Sequence, residues 1–249
     1  MSLESDLLVA FEVHSPGDIQ SLLAAGASPT ARIDGKTPIE CFVEGYLRSP
    51  RFAECLRVLL DAGGTIGHPA LEAVLLDDDG ALRRLIDRSP DEVHRRLRVR
   101  TAFTSCMGVS PLHICAEFNS VRCARTLLEH GADVNAKADM NADGFGGQTA
   151  VFHAVNSIHN YSRPVLEVLV EAGATLDERI KGVVWGVGQQ WETLVLDVTP
   201  LSYAQCGLYA QFHRKERDIY ANLSYLFRKR YGTALPLHNV PNKYLAPRA

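Results

Sequence analysis

The sequence predicts a mainly α-helical solenoid of about six helix pairs, interrupted near residues 178–198 by an inserted β-hairpin. Two observations carry that expectation. A short grammar of helix starts and stops recurs along the chain, and one stretch is built from residues that favour strands instead.

The grammar is clearest from Ser110 to Asn135. Pro111 costs nothing at a first helical position, because the amide it lacks has no partner there, and Ser110 before it can cap the helix. The helix from Leu112 to Phe118 is too short to stand alone, since helices under about 12 residues are marginal in water without packing. Val121, Ala124, Leu127 and Leu128 then fall on one stripe of a second helix. Gly131 ends it by supplying the left-handed conformation.

In chain order, residues 6–14 form a capping first helix, followed by a second helix closing at Leu22-Leu23-Ala24-Ala25-Gly26-Ala27. Thr37-Pro38-Ile39-Glu40-Cys41 opens the next pair, which closes at Leu59-Leu60-Asp61-Ala62-Gly63. A degenerate pair follows, with Pro69 to Leu76 as first helix and Gly80 to Asp87 as second. After the unit at Ser110, Gln148-Thr149-Ala150-Val151-Phe152-His153-Ala154 opens another that closes at Leu169 to Ala174. Val198-Thr199-Pro200-Leu201 opens the last, whose second helix runs from about Arg217 to Arg230.

The run Ser110-Pro111-Leu112-His113-Ile114-Cys115-Ala116, with Leu127-Leu128-Glu129-His130-Gly131-Ala132-Asp133-Val134-Asn135 after it, closely resembles one ankyrin repeat. The resemblance implies an ankyrin-repeat solenoid with approximate repeats at 5–33, 34–66, 67–105, 106–143, 144–180 and 195–232, and an irregular tail at 233–249. It also implies that His113 bonds backbone and ties neighbouring turns together. The openings at Ser110, Thr149 and Thr199 lie 39 and 50 residues apart, against about 33 in that family. Insertions therefore lengthen the loops, and in solenoids such insertions fall on one face that is often the binding face.

The first insertion contains Asp139-Met140-Asn141-Ala142-Asp143-Gly144-Phe145. It matches the first half of a calcium loop, but Ala150 stands where that loop needs a bidentate glutamate. Read as an elongated hairpin tip, the same residues favour turns, and Phe145 between glycines is either tucked beneath the loop or offered to a partner. The second insertion places Val183, Val184, Trp185 and Val187 on one side, and Trp191, Thr193, Leu194, Val195 and Leu196 on the other, with a turn around residues 186–190 between them. A lone hairpin is marginal, so it must lean on the stack or on a partner. Both tryptophans lie here, as interface anchors or as internal supports. A third irregular stretch, Ser157 to Pro164, lengthens a turn between helices.

With 249 residues and 46% apolar content the chain can bury a sizeable core. The start Met1-Ser2-Leu3-Glu4-Ser5-Asp6 carries acids where an export signal needs bases. Five of the six cysteines, at 41, 55, 106, 115, 123 and 206, fall within expected helices, as small hydrophobes of a reduced cytoplasmic protein would. The net charge of −3 hides two basic clusters. Seven arginines stand against three acids between 83 and 100, and six bases (Arg214, Lys215, Arg217, Arg228, Lys229 and Arg230) against two acids.

Nucleophile elbows, HExxH pairs, phosphate loops and CxxC pairs are absent from the sequence, which argues against an enzyme. The expected function is a non-enzymatic protein–protein interaction module without a cofactor or bound metal, monomeric, gripping another folded protein and not a membrane. The family resemblance places Glu44, Gly45, Glu117, Phe118, Asn156 and Ser157 on the concave face. Phe145, Trp185 and Trp191 join them as candidate partner-binding residues from the insertions. Two alternatives stand beside this reading. One is a small-ligand, metal-binding or weakly hydrolytic pocket between the 178–198 insertion and the stack; the other is nucleic-acid binding through the two basic clusters.

Overall fold

The computed structural model describes residues 3–187, 192–205 and 216–234. Trp191, Cys206, Arg214, Lys215 and the tail from 235 lie outside the described residues.

Among the described residues, twelve α-helices form six antiparallel pairs: α1 (Leu3–Glu12) with α2 (Pro16–Ala24), α3 (Pro38–Glu44) with α4 (Phe52–Asp61), α5 (Pro69–Leu75) with α6 (Asp79–Arg88), α7 (Pro111–Phe118) with α8 (Val121–Glu129), α9 (Ala150–Val155) with α10 (Arg163–Glu171), and α11 (Pro200–Gln205) with α12 (Glu216–Tyr231). Starts follow the expected chemistry. Thr37 and Glu40 form a reciprocal capping box on α3, and Asp78 caps α6 by accepting from the Ala81 amide at 2.8 Å. Gly131 ends α8 at φ +85°.

Packing runs in sequence order within units one and two and within units three to six, and Phe52 and Arg48 of the second unit reach Phe118 and Glu117 of the fourth. First helices stack on first helices (α5 on α7, α7 on α9, α9 on α11), and second helices on second helices (α2 on α4, α6 on α8, α8 on α10). The hydrophobic core is one continuous ribbon from Leu7 to Leu226 between the two rows. His113 ties two turns: its Nδ1 accepts from the Ser110 amide at 3.3 Å, so the proton sits on Nε2, which donates to the Gln148 carbonyl at 3.0 Å.

Two antiparallel hairpins interrupt the stack. The expected one pairs β3 (Ile180–Trp185) with β4 (Thr193–Val198), Gly182 opposite Leu196 and Val184 opposite Leu194. The other, β1 (Leu97–Val99) with β2 (Cys106–Val109), was not expected from the sequence. Its strands are too short for an alternating pattern to stand out. The two hairpins meet through a bridge between Thr104 and Trp185.

Candidate functional site

Two neighbouring regions arise where the insertions meet the stack. In the first, the tip around Phe145 folds onto the β3–β4 hairpin. The Asn141 side-chain oxygen accepts from the Asp143 and Phe145 amides at 3.0 and 2.9 Å, closing the turn. Gly146 donates to the Gly182 carbonyl at 2.9 Å, joining tip to hairpin. Phe145 rests on Gly182, where an added Cβ would lie 3.1 Å from the ring and 3.4 Å from Leu194. The Lys181 ammonium lies 4.6 Å from the centre of the Phe145 ring. Leu194 and Leu196, two apart on β4, share this face and are 42% and 60% exposed, with Met140 nearby in the tip at 67%. The half-calcium-loop residues serve this turn instead: Asn141 bonds its own backbone, and the Asp139 carboxylate lies 4.0 and 3.9 Å from Arg96 and Arg98.

The second region is the groove beside α7 and α9, and it is filled by the chain itself. Arg48, from the loop after α3, donates to the Gly45 and Leu47 carbonyls and, at 3.0 Å, to Glu117. Its guanidinium caps the Phe118 ring at 4.3 Å, and Phe118 packs against Phe52 with ring centres 4.9 Å apart. Phe118 is therefore 4% exposed, not the open anchor that its position in the repeat suggests. Trp185 is 3% exposed and stacks on Phe103 at 5.6 Å.

Behind that lid, Glu117 accepts from His153 Nδ1 at 3.2 Å, while Cys106 Sγ approaches the same Nδ1 at 3.6 Å. Burial works to raise the Glu117 carboxyl, but the His153 hydrogen bond and the Arg48 charge outweigh it and hold it below the usual carboxylate range. Burial pushes the Cys106 thiol well up. A nucleophile–base–acid relay needs thiol and carboxylate on opposite ring nitrogens. Here both crowd Nδ1, and Nε2 has no partner among the described residues.

The remaining expected residues line the edges. Glu44 pairs with Lys36 at 2.5 Å beside an open groove of about 980 Å³ between the 32–37 turn and β1. Asn156 and Ser157 rim a cavity of about 20 Å³ that also touches Tyr46, Glu117, His153 and Trp185. The Ser157 to Pro164 stretch is tied down from within and from without: Ser157 accepts from the Ser162 amide, and Tyr161 donates to the Ser49 carbonyl at 3.0 Å. Basic-cluster residues are partly engaged, Arg83 with Glu129 at 2.7 Å, Arg95 with Glu92 at 2.5 Å, and Arg230 with Asp177.

The family described as ankyrin repeats (3 copies) matches residues 7–180. The chain belongs to the ankyrin-repeat family. A mouse relative, the B-cell lymphoma 3 protein homolog, is 32% identical over 177 residues, covering 69% of this chain. The match spans 36% of that relative's length. Among solved structures, the human ASB11 ankyrin repeat domain is similar at 20% identity and TM-score 0.37, over 87% of this chain and 81% of that one. Ankyrin repeats as a class are protein-interaction modules, and no described helix here is long and apolar enough to cross a membrane. Sequence reasoning missed Arg48, Cys106, Leu194 and Leu196 as parts of these two regions. The signal for the first pair was Glu117, a charge embedded in the otherwise apolar run of α7.

Proposed function

We propose that this ankyrin stack is a non-enzymatic module that docks another folded protein on its concave side and inserted loops. Phe145, Leu194, Leu196 and Met140 form the central contact, and Glu44, Asn156 and Ser157 remain candidate contacts on the concave side. The observation that carries the reading is the union of the two insertions. Residues about 40 positions apart are joined by a backbone bond so that three exposed apolar side chains and a partly buried phenylalanine share one neighbourhood. Exposed apolar groups scattered singly need no explanation, but a cluster on inserted loops does. Glu117, Phe118 and Trp185 are buried in the neighbouring groove and are not part of this contact. Such an interface is expected to bury on the order of 1,600 Å² with a few dominant residues.

The test is capture of a partner from the native host with wild-type protein and with Phe145→Ser and Leu196→Asp variants. Each variant should weaken the captured complex by about 2 kcal/mol, roughly thirty-fold in affinity, at an unchanged thermal midpoint. A partner retained by both variants overturns the reading.

A further inference from the structure

We propose that Cys106, Glu117 and His153 form a binding site for a zinc-class divalent ion, which pins the inserted β1–β2 hairpin to the helices of two successive repeats. The three ligand atoms come from β2, α7 and α9, and all lie within 4.8 Å of one another on buried residues. Sulfur, imidazole nitrogen and carboxylate oxygen are the donor set that zinc accepts, at about 2.3, 2.0 and 2.0 Å; tetrahedral angles then separate neighbouring donors by roughly 3.3–3.6 Å. The structure holds Sγ and Oε2 at 3.6 and 3.2 Å from Nδ1. A metal centre is thus reached by small side-chain rotations.

Hydrogen bonding serves this cluster weakly. Nδ1 carries at most one proton, so when that proton goes to Glu117 the Cys106 thiol is left with the Thr104 carbonyl at 3.8 Å. An ion held by Sγ, Nδ1 and Oε2 engages these three atoms together. Arg48 then plays the outer role usual in metal sites: by holding Oε1 of Glu117 at 3.0 Å it leaves Oε2 turned to the metal. The adjoining cavity of about 20 Å³ has room for one small ligand in a fourth position. It reaches the surface past Tyr46, Asn156 and Ile158, which gives the ion a route in. Binding replaces the Cys106 S–H bond by an S–metal bond and releases that proton to solvent, so affinity rises with pH. The site is independent of the docking surface, and its failure leaves the docking proposal standing.

The experiment uses full-length protein stripped of metal and titrated with cobalt(II), then with zinc. The expected result is one cobalt per chain with a thiolate-to-cobalt charge-transfer band, displaced by zinc, together with a zinc-dependent rise in thermal midpoint. The band must vanish in Cys106→Ser, a near-isosteric change, and persist in Cys115→Ala, which alters a buried cysteine elsewhere. Arg48→Met should weaken zinc binding by about 10–100-fold. Absence of the band in wild type, or its survival in Cys106→Ser, overturns the proposal; so does a zinc-induced rise in midpoint that is undiminished in His153→Ala.

Discussion

Arg48 and Glu117, 69 residues apart, meet at 3.0 Å with both side chains 4% exposed, so the loop between the helices of one repeat is clamped to the first helix of another by a buried ion pair. Removing either partner strands the other's charge away from water, which costs about 3–5 kcal/mol. Arg48→Met and Glu117→Gln should each lower the urea midpoint accordingly. The double variant Arg48→Met/Glu117→Leu, which removes both charges, should lose less than the two singles combined. Singles that shift stability by under about 0.5 kcal/mol would show the pair to be screened.

Trp185 and Phe145 come from the two joined insertions but play opposite parts. Trp185 is buried on Phe103, so Trp185→Ala should cost about 3–5 kcal/mol of stability. Phe145 lies partly exposed over Gly182, and Phe145→Ala should cost less than about 1 kcal/mol while weakening partner capture. Thermal melts of the two variants check this, and equal losses would contradict it.

Gly146 sits at φ +115°, and a Cβ there would lie 2.4 Å from the Asp139 carbonyl. Gly146→Ala therefore forces the tip off the hairpin, at about 1–3 kcal/mol. The loss should appear as faster amide exchange at 139–147 and in β3, with the helix pairs unchanged. Undisturbed exchange at the tip would refute the backbone link as the element that holds it.

Two histidines set the acid response. Burial, with Arg48 and Arg51 adding, holds His14 down at about 4. Burial, with His153 adding and the Gln148 hydrogen bond opposing, holds His113 down at about 3. Unfolded, both protonate near 6.5, so the unfolded chain binds more protons between those limits, and stability is full above 6.5 and falls as pH drops toward 4 and 3. Glu117, whose folded carboxyl lies below its ordinary 4.5, adds a further loss beneath that value. Urea midpoints should thus start to decline before carboxylates titrate, less steeply in His14→Gln. A flat profile between 6.5 and 4.5 would contradict the assignment.

Much of the fold was legible in the sequence because helix starts and stops are local chemistry. Thr37-Pro38, Ser110-Pro111 and Gly131 announce their roles within four residues. The inserted β3–β4 hairpin was legible too, from its run of β-branched and aromatic residues. What stayed hidden depends on distant partners. The exposure of Phe118 could not be read from its place in the repeat, because Arg48 folds over it from another unit. Cys106, Glu117 and His153 come together from three elements with no fixed spacing, so no motif marks them. The exposed face of β4 needed the strand register, which sets Leu194 and Leu196 on one side.

The most direct measurement of the docking account is amide hydrogen exchange on the chain alone and bound to its captured partner. The account predicts protection on binding concentrated at residues 139–147 and 192–198, with the second-helix row α2, α4, α6 and α8 unchanged. Protection confined to that second-helix row, with the joined insertions exchanging as freely as before, would contradict it.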